Sequence, residues 1–136
     1  MLGRMRHSLL FIAVIVLLTG CKLNWKDFTT ESDRAFESYL TGDANAAKSA
    51  LLEQERIIAK HEAAGNRDVN YRQARLILYA RLCAVTSHIG QTNEAQEYFR
   101  KAMAHRDLTN AVTMTELIAS IERSDRETKP KWRQQR

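Results

Sequence analysis

The apolar residues between positions 71 and 89 recur at the spacing of one helix face, and this pattern restricts the fold more than any other. The intervals between them are three, four, four, three and four, and the residues are Tyr71, Ala74, Leu78, Leu82, Val85 and Ile89. Such intervals place all of these side chains on one stripe of an α-helix. The chain has only one proline and five glycines, and no long stretch alternates apolar and polar residues as a strand does. The sequence therefore predicts an all-α fold.

Turn and capping residues divide the chain before this helix. Thr30, with Asp33 as the acid of a capping box, predicts the start of the first helix. Gly42 ends that helix, and Asp43 is the expected cap of a second helix that runs to about residue 63. Asp68 is the expected cap of the third helix, which carries the apolar stripe.

Two further helices are expected at about 93–104 and 109–123. Their expected inward-facing residues are Ala95, Phe99, Ala102, Met103, Met114, Leu117, Ile118 and Ile121. Beyond Ile121 the only large apolar residue is Trp132, so the core is expected to end at Ile121. Short turns between successive helices predict an antiparallel bundle of about five helices.

The third and fourth expected helices resemble one tetratricopeptide repeat. The residues at the family's motif positions are Tyr79, Leu82, Cys83, Gly90, Ala95, Phe99 and Ala102. The resemblance implies helix hairpins in which small residues allow close approach and large residues fill the seam. It also implies a concave groove, lined by the first helix of each hairpin, that receives a peptide or helix from a partner.

A weaker copy of the repeat lies upstream, so that the resemblance covers residues 30–104. Ala47 and Leu51 follow Gly42 at the same intervals at which Ala95 and Phe99 follow Gly90. The two glycines are 48 residues apart, whereas the family period is about 34 residues. The family's closing proline is also missing. A plain four- or five-helix bundle therefore remains the alternative to a divergent repeat.

The first twenty residues have the layout of a secretory signal. Arg4 and Arg6 precede an unbroken apolar run at residues 9–18. Ten residues rise only about 15 Å as a helix, which is half of the roughly 30 Å hydrocarbon core of a bilayer. A permanent membrane-spanning helix is therefore not expected here.

The sequence LTGC at residues 18–21 closes this segment and resembles the lipobox of bacterial lipoproteins. The resemblance implies cleavage before Cys21 and a covalent lipid on its thiol, with no other cofactor. Lys22 stands where aspartate would imply inner-membrane retention in enteric lipoproteins. In a Gram-negative source, the periplasmic face of the outer membrane is therefore the expected location. An ordinary signal peptide remains the alternative, and Met1 and Met5 are alternative starts.

Cleavage leaves 116 residues, enough for one compact domain. The expected divisions are a signal peptide at 1–20, a lipidated anchor and linker at 21–29, a helical domain at 30–123 and a basic tail at 124–136.

The positive charge of the chain is concentrated at its end. Residues 22–122 hold 13 lysines and arginines against 14 acids, whereas residues 123–136 hold six against two. A nucleic-acid-binding protein is expected to carry its basic residues on the folded surface, so no nucleic-acid partner is expected. The tail is either a solvated, frayed end or a contact for anionic lipid, cell wall or an acidic partner. The candidate contacts are Lys129, Lys131, Trp132 and Arg133.

No constellation of catalytic or metal-binding residues stands out. His61, His88 and His105 have no second ligand at metal-binding spacing on their own helices. Cys83 is isolated within a helical apolar pattern, where a cysteine behaves as a small apolar residue. No phosphate-binding glycine loop, nucleophile elbow or zinc-protease motif is present. The chain is therefore not expected to be an enzyme.

A binding surface is the remaining expectation. Carried over from the repeat family, the residues that line the groove are Phe36, Tyr39, Leu40, Arg81, Ala84 and His88. Aromatic, basic and small groups together suit an amphipathic partner segment with an acidic end. The leading hypothesis is a lipid-anchored adaptor or assembly factor for another envelope protein. The alternative is a tether that joins the membrane to cell wall or anionic polymer through the basic tail.

Overall fold

The computed structural model describes residues 24–106 and 113–135, and this part of the chain is helical with short connections. The helices are α1 (Trp25–Thr41), α2 (Ala44–Ala63), α3 (Tyr71–His88), α4 (Thr92–Ala104), α5 (Met114–Thr128) and the short α6 (Lys131–Gln134). The prediction of an all-α bundle is confirmed. Among these described helices, none combines the length and the apolar character needed to cross a membrane.

Two antiparallel hairpins form the body of the bundle. Helix α1 packs on α2, α3 packs on α4, and α2 packs on α3 to join the hairpins. The predicted stripe of α3 faces this core, with Leu82 and Val85 completely buried. The other large buried apolar residues include Tyr39, Leu51, Ile58, Leu78 and Tyr79.

One of three predicted helix caps is confirmed, and the other two lie at different residues. Asp43 caps α2 as predicted, because its carboxylate accepts the Ala46 N–H at 2.8 Å. Helix α1 begins at Trp25, five residues before the predicted cap Thr30. Asn24 and Asp27 form the actual capping box, each side chain accepting the other's backbone N–H at 3.1 Å. The start predicted at Thr30 is therefore wrong.

The cap of α3 is also further along than predicted. Asn70, not Asp68, accepts the Gln73 N–H at 3.1 Å. Helix α5 begins at Met114 with Thr113 as its cap. The predicted start of that helix at Thr109 lies outside the described residues.

The inner face of α4 is rotated relative to the prediction. Ala95 and Ala102 are buried as expected, but Phe99 is 40% exposed and Tyr98 only 7% exposed. Tyr98 stacks on Tyr79 of α3, with ring centroids 6.2 Å apart. Positions 95, 98 and 102 form a stripe at helical spacing, so the family's aromatic position at 99 falls at its edge. Met103 and Ile118, also predicted to face inward, are likewise exposed, at 39% and 38%.

The core continues past its predicted end at Ile121. Helix α5 extends to Thr128, and Trp132 of α6 is completely buried. Helix α6 contacts both α1 and α2. The expectation of a frayed tail is therefore wrong for residues 124–135, although most of their side chains, such as Lys129 and Lys131, are exposed to solvent.

Gly42, at the turn between α1 and α2, provides a test of the close approach there. A Cβ atom at this position would lie 2.6 Å from the Ala46 Cβ and 2.9 Å from the Ser38 carbonyl oxygen. We expect Gly42→Ala to lower the free energy of unfolding by about 1–3 kcal/mol, measured by urea denaturation. Gly65→Asn is the control, since Gly65 has φ +74° with open space around its Cβ, and asparagine tolerates that conformation. Equal midpoints for Gly42→Ala and the unsubstituted protein would contradict the packing of this turn.

Candidate functional site: the groove between α1 and α3

Trp132 lies between the carboxyl-terminal ends of α1 and α3. Its ring packs edge-on against the rings of Tyr39 and His88, with centroid distances of 5.9 and 5.2 Å. Edge-to-face contacts of this kind are the favoured arrangement of aromatic rings. Nε2 of His88 also lies 2.8 Å from the Gln135 carbonyl oxygen, which can only accept, so the imidazole donates this hydrogen bond. These contacts hold α6 against the carboxyl-terminal ends of α1 and α3.

A buried carboxylate joins three helices behind this tryptophan. Asp125 of α5 is 2% exposed. Its two oxygens accept hydrogen bonds from the Tyr39 hydroxyl at 3.1 and 3.2 Å, and one of them also accepts a hydrogen bond from Nε–H of Arg133. A buried charge is tolerated only when it is paired and hydrogen-bonded, and both conditions hold here. Asp125 therefore connects α1, α5 and α6.

The surroundings of Tyr39 keep its phenol protonated. Burial raises the pKa of Tyr39 well above its ordinary value, and the negative charge of Asp125 raises it further. The positive charges of Arg81 and Arg133 oppose this shift without cancelling it. Tyr39 is therefore a hydrogen-bond donor to Asp125 throughout the neutral and moderately alkaline range.

Arg81 of α3 stacks on two aromatic rings of α1. Its guanidinium carbon lies 4.8 Å from the ring centroid of Phe36 and 5.3 Å from that of Tyr39. These are cation–π distances, and they bring the first helices of the two hairpins into contact. Nε of Arg81 and Nε1 of Trp132 are both buried without a hydrogen-bond partner among the described residues. Each unpaired buried donor costs about 1–3 kcal/mol.

The residues predicted for the groove are brought together only in part. Tyr39, Arg81 and His88 belong to one cluster, and Phe36 is covered by the Arg81 side chain. Leu40 and Ala84 are half-buried against the core.

The residues predicted for the tail divide into two groups. Trp132 and Arg133 lie in the groove, whereas Lys129 and Lys131 are exposed. Asp125 belongs to the site but was not predicted from the sequence. Its spacing of four residues from Ile121, on the inner stripe of α5, is the signal that identifies it.

An apolar cavity of about 300 Å³ adjoins the groove between α3, α4 and α5. Its apolar lining includes Ala80, Cys83, Ala84, Phe99, Ile118 and Ile121. Burial raises the pKa of the Cys83 thiol, so the group stays a thiol rather than becoming a reactive thiolate. Within the described parts of the chain, no three histidine, cysteine or acidic side chains are grouped so that they could hold a metal ion. Ser87, Glu122 and Arg133 also line the cavity, so it is mainly but not wholly apolar.

Comparison of the chain with protein-family models, with curated proteins and with solved structures gives no match.

The raised pKa of Tyr39 predicts how stability changes in alkali. In the unfolded chain the phenol ionises near its ordinary value of 10.0, whereas in the folded chain it ionises higher. The stabilisation is therefore complete below pH 10 and is lost as the pH rises above it. For Tyr39→Phe we expect the fall in stability above pH 10 to be shallower by up to about 1.4 kcal/mol per pH unit. At neutral pH the variant should be less stable by about 1–3 kcal/mol, since Asp125 loses a donor.

The measurement is urea denaturation of both proteins from neutral pH to pH 11, followed by far-ultraviolet circular dichroism. Parallel stability profiles above pH 10 would contradict the burial of the phenol beside Asp125. Tyr98→Phe is the comparison, because burial raises the pKa of Tyr98 to about 12 without any contact to α6. Its profile should also flatten, but its stability at neutral pH should fall by less than that of Tyr39→Phe, because Asp125 keeps its Tyr39 donor.

Proposed function

We propose that this chain is a lipid-anchored envelope protein whose groove between α1 and α3 binds a segment of another envelope protein, as a non-catalytic adaptor or assembly factor. The observation that carries the proposal is the docking of Trp132 between Tyr39 and His88. A surface that buries one aromatic segment of its own chain has the shape and chemistry to bury a similar segment of a partner.

The anchor rests on the lipobox resemblance at residues 18–21, which lie outside the described residues. Two or three acyl chains on Cys21 hold a protein firmly on a bilayer, because each buried methylene contributes about 0.8 kcal/mol. Lys22, by the sorting rule of the resembling family, favours the periplasmic face of the outer membrane.

We also propose that the fold is a divergent form of the tetratricopeptide repeat. Two antiparallel hairpins joined through α2 and α3 support a divergent tetratricopeptide-like arrangement. The contact of Arg81 with Phe36 and Tyr39 supports it further, since the resemblance requires the first helices of neighbouring hairpins to lie side by side.

Partner binding in this groove requires α6 to be displaced. Helix α6 has only four residues, and it follows Lys129, whose left-handed backbone (φ 49°) is unfavourable for a residue with a side chain. The bound α6 also leaves Nε of Arg81 without a partner among the described residues. A partner carboxylate would pair with that guanidinium in a charge-assisted hydrogen bond. The preferred partner is therefore an amphipathic segment with an aromatic side chain and an acidic group.

Site-specific photo-crosslinking in intact cells tests this proposal. A photoreactive phenylalanine analogue at Phe36 should capture one dominant envelope protein, whereas the same analogue at Ala59, on the exposed side of α2, should not. Adding Arg81→Glu should lower the Phe36 adduct about tenfold, the effect of losing one charge-assisted contact.

The matched control for that variant is Arg56→Glu, because the Arg56 side chain is 78% exposed on α2. It should leave the adduct unchanged. Arg81→Lys, which retains the charge without the guanidinium fork, should give an intermediate yield. An adduct that persists in Arg81→Glu, in a protein that unfolds like the parent, would refute the groove.

A second candidate function, a tether to cell wall or anionic polymer, is favoured by the charges of the tail. Four exposed cations near the chain's end have no ion pair among the described residues: Arg123, Arg126, Lys129 and Lys131. Trp132 and Arg133 are engaged in the groove, so the tether would use the exposed cations instead.

The tether predicts that Lys129→Glu with Lys131→Glu lowers sedimentation of the protein with purified cell wall. Charge reversal is preferable to deletion, since deletion would remove the buried Trp132. The control is Arg56→Glu with Arg100→Glu, which makes the same change in net charge on α2 and α4. Unchanged sedimentation of the tail variant, or an equal loss in the control, would eliminate the tether.

A further inference from the structure

The amino-terminal end of α1 carries the most exposed large apolar side chain of the described residues. Trp25 is 51% exposed, although its ring also stacks on Phe28 at 5.8 Å. Phe28 in turn packs edge-on against the buried His61 of α2 at 5.3 Å. Trp25 is therefore held in place from one side while its other side is open to the surroundings.

The connection between this tryptophan and the proposed lipid is very short. Asn24 caps α1, so only Lys22 and Leu23 stand between Cys21 and the capped start of the helix. Three trans peptide units span at most about 11 Å. If Cys21 is acylated, the first turn of α1 must lie within that distance of the lipid headgroups.

Three other helix ends lie at the same end of the bundle as Trp25. Lys60 near the end of α2 pairs with Glu31 near the start of α1 at 2.8 Å. Arg72 at the start of α3 donates to the carbonyl oxygens of His105 and Arg106, just beyond α4, at 3.1 and 2.7 Å. These contacts establish the antiparallel order and define one basal end.

The described residues of the basal end carry more cations than acids. Its described cations outside ion pairs are Lys26, Arg67, Arg72 and Arg106. Its acids outside ion pairs are Asp68, which is exposed, and Asp27, whose carboxylate is engaged in the capping box. The balance favours an anionic surface, and tryptophan beside cations is the composition that prefers the headgroup region of a bilayer.

We infer that the basal end lies against anionic lipid headgroups, with the Trp25 ring inserted among them, and that the groove faces away from the membrane. The inference rests on the acylation of Cys21 in the proposed function. Helix α1 has 17 residues, so its Tyr39 end lies about 20–25 Å above its first turn when the helix stands upright. The bilayer and the groove thus occupy opposite ends of the bundle.

The chain's two tryptophans make this orientation measurable. Trp25 is exposed and Trp132 is completely buried, so the difference between the parent protein and Trp25→Phe isolates the Trp25 emission. The full protein is purified from membranes and reconstituted into phosphatidylethanolamine–phosphatidylglycerol vesicles, with or without lipid carrying a doxyl quencher next to the headgroup. Acylation of Cys21 is read on the same sample by mass spectrometry.

We expect the doxyl lipid to quench the Trp25 emission and the vesicles to protect it from acrylamide. Both effects should be absent in Trp25→Phe. Lys26→Glu with Arg67→Glu should reduce the doxyl quenching in these vesicles, whereas Arg56→Glu with Arg100→Glu, which makes the same change in net charge at cations paired with Glu53 and Glu97 on the sides of α2 and α4, should not.

Each remaining outcome is decisive. An acylated protein whose Trp25 is open to acrylamide and unaffected by the doxyl lipid would overturn the inference and leave the lipoprotein proposal standing. Protection of Trp25 only when a second protein copurifies would make the basal end a protein interface and also overturn it. A protein with no acyl group on Cys21 would overturn the lipoprotein proposal and the inference together.

Discussion

The buried carboxylate of Asp125 determines where the last part of the described chain lies. Helix α5 has few deeply buried apolar residues of its own, and Ile121 is the main one. The hydroxyl of Tyr39 and the guanidinium of Arg133 therefore hold α5 against α1 and α6 through a charge, whereas α6 itself also buries the apolar ring of Trp132. Such a contact is directional: removing either donor would leave a buried charge poorly paired, so few other positions of the tail could satisfy it.

The regular parts of the fold follow from local sequence. The stripe from Tyr71 to Ile89 predicted α3 because helical periodicity depends on neighbours only three or four residues apart. The cap at Asp43 followed in the same way. The start of α1 could not be decided locally, because Asn24 with Asp27 is as good a capping box as Thr30 with Asp33. The predicted inner face of α4 was wrong because the adjacent positions 98 and 99 are both aromatic. Packing against Tyr79 buries Tyr98 and leaves Phe99 at the edge.

The site was predictable on one side only. Tyr39, Arg81 and His88 were expected on one surface from the repeat resemblance, and the structure places them in one cluster. Their occupant was not predicted, because Tyr39 and Asp125 are 86 residues apart in sequence. A basic, proline-containing tail has the composition of a solvated segment. The burial of Trp132 and the pairing of Asp125 with the distant Tyr39 hydroxyl reveal that the tail folds back.

An occupant that belongs to the same chain also affects how a partner competes. A tethered segment is present at a high effective concentration, so a free segment of equal intrinsic affinity displaces it only above that concentration. A successful competitor needs contacts that α6 lacks, such as an acceptor for the Arg81 Nε–H. The unpaired donors in the groove would thus discriminate between partners, since a segment with only an aromatic side chain gains nothing over Trp132.

The capping box at Asn24 limits how far the domain can move above a membrane, and therefore how it meets its partners. A long flexible linker would let the domain explore a deep volume above the membrane, but α1 begins too close to Cys21 for that freedom. With an acyl anchor, encounters become a two-dimensional search at nearly constant height. Partners embedded in or bound to the same membrane, with a segment at the level of the groove, would meet it often. Proteins confined to the opposite membrane would stay beyond its reach unless they extended towards it.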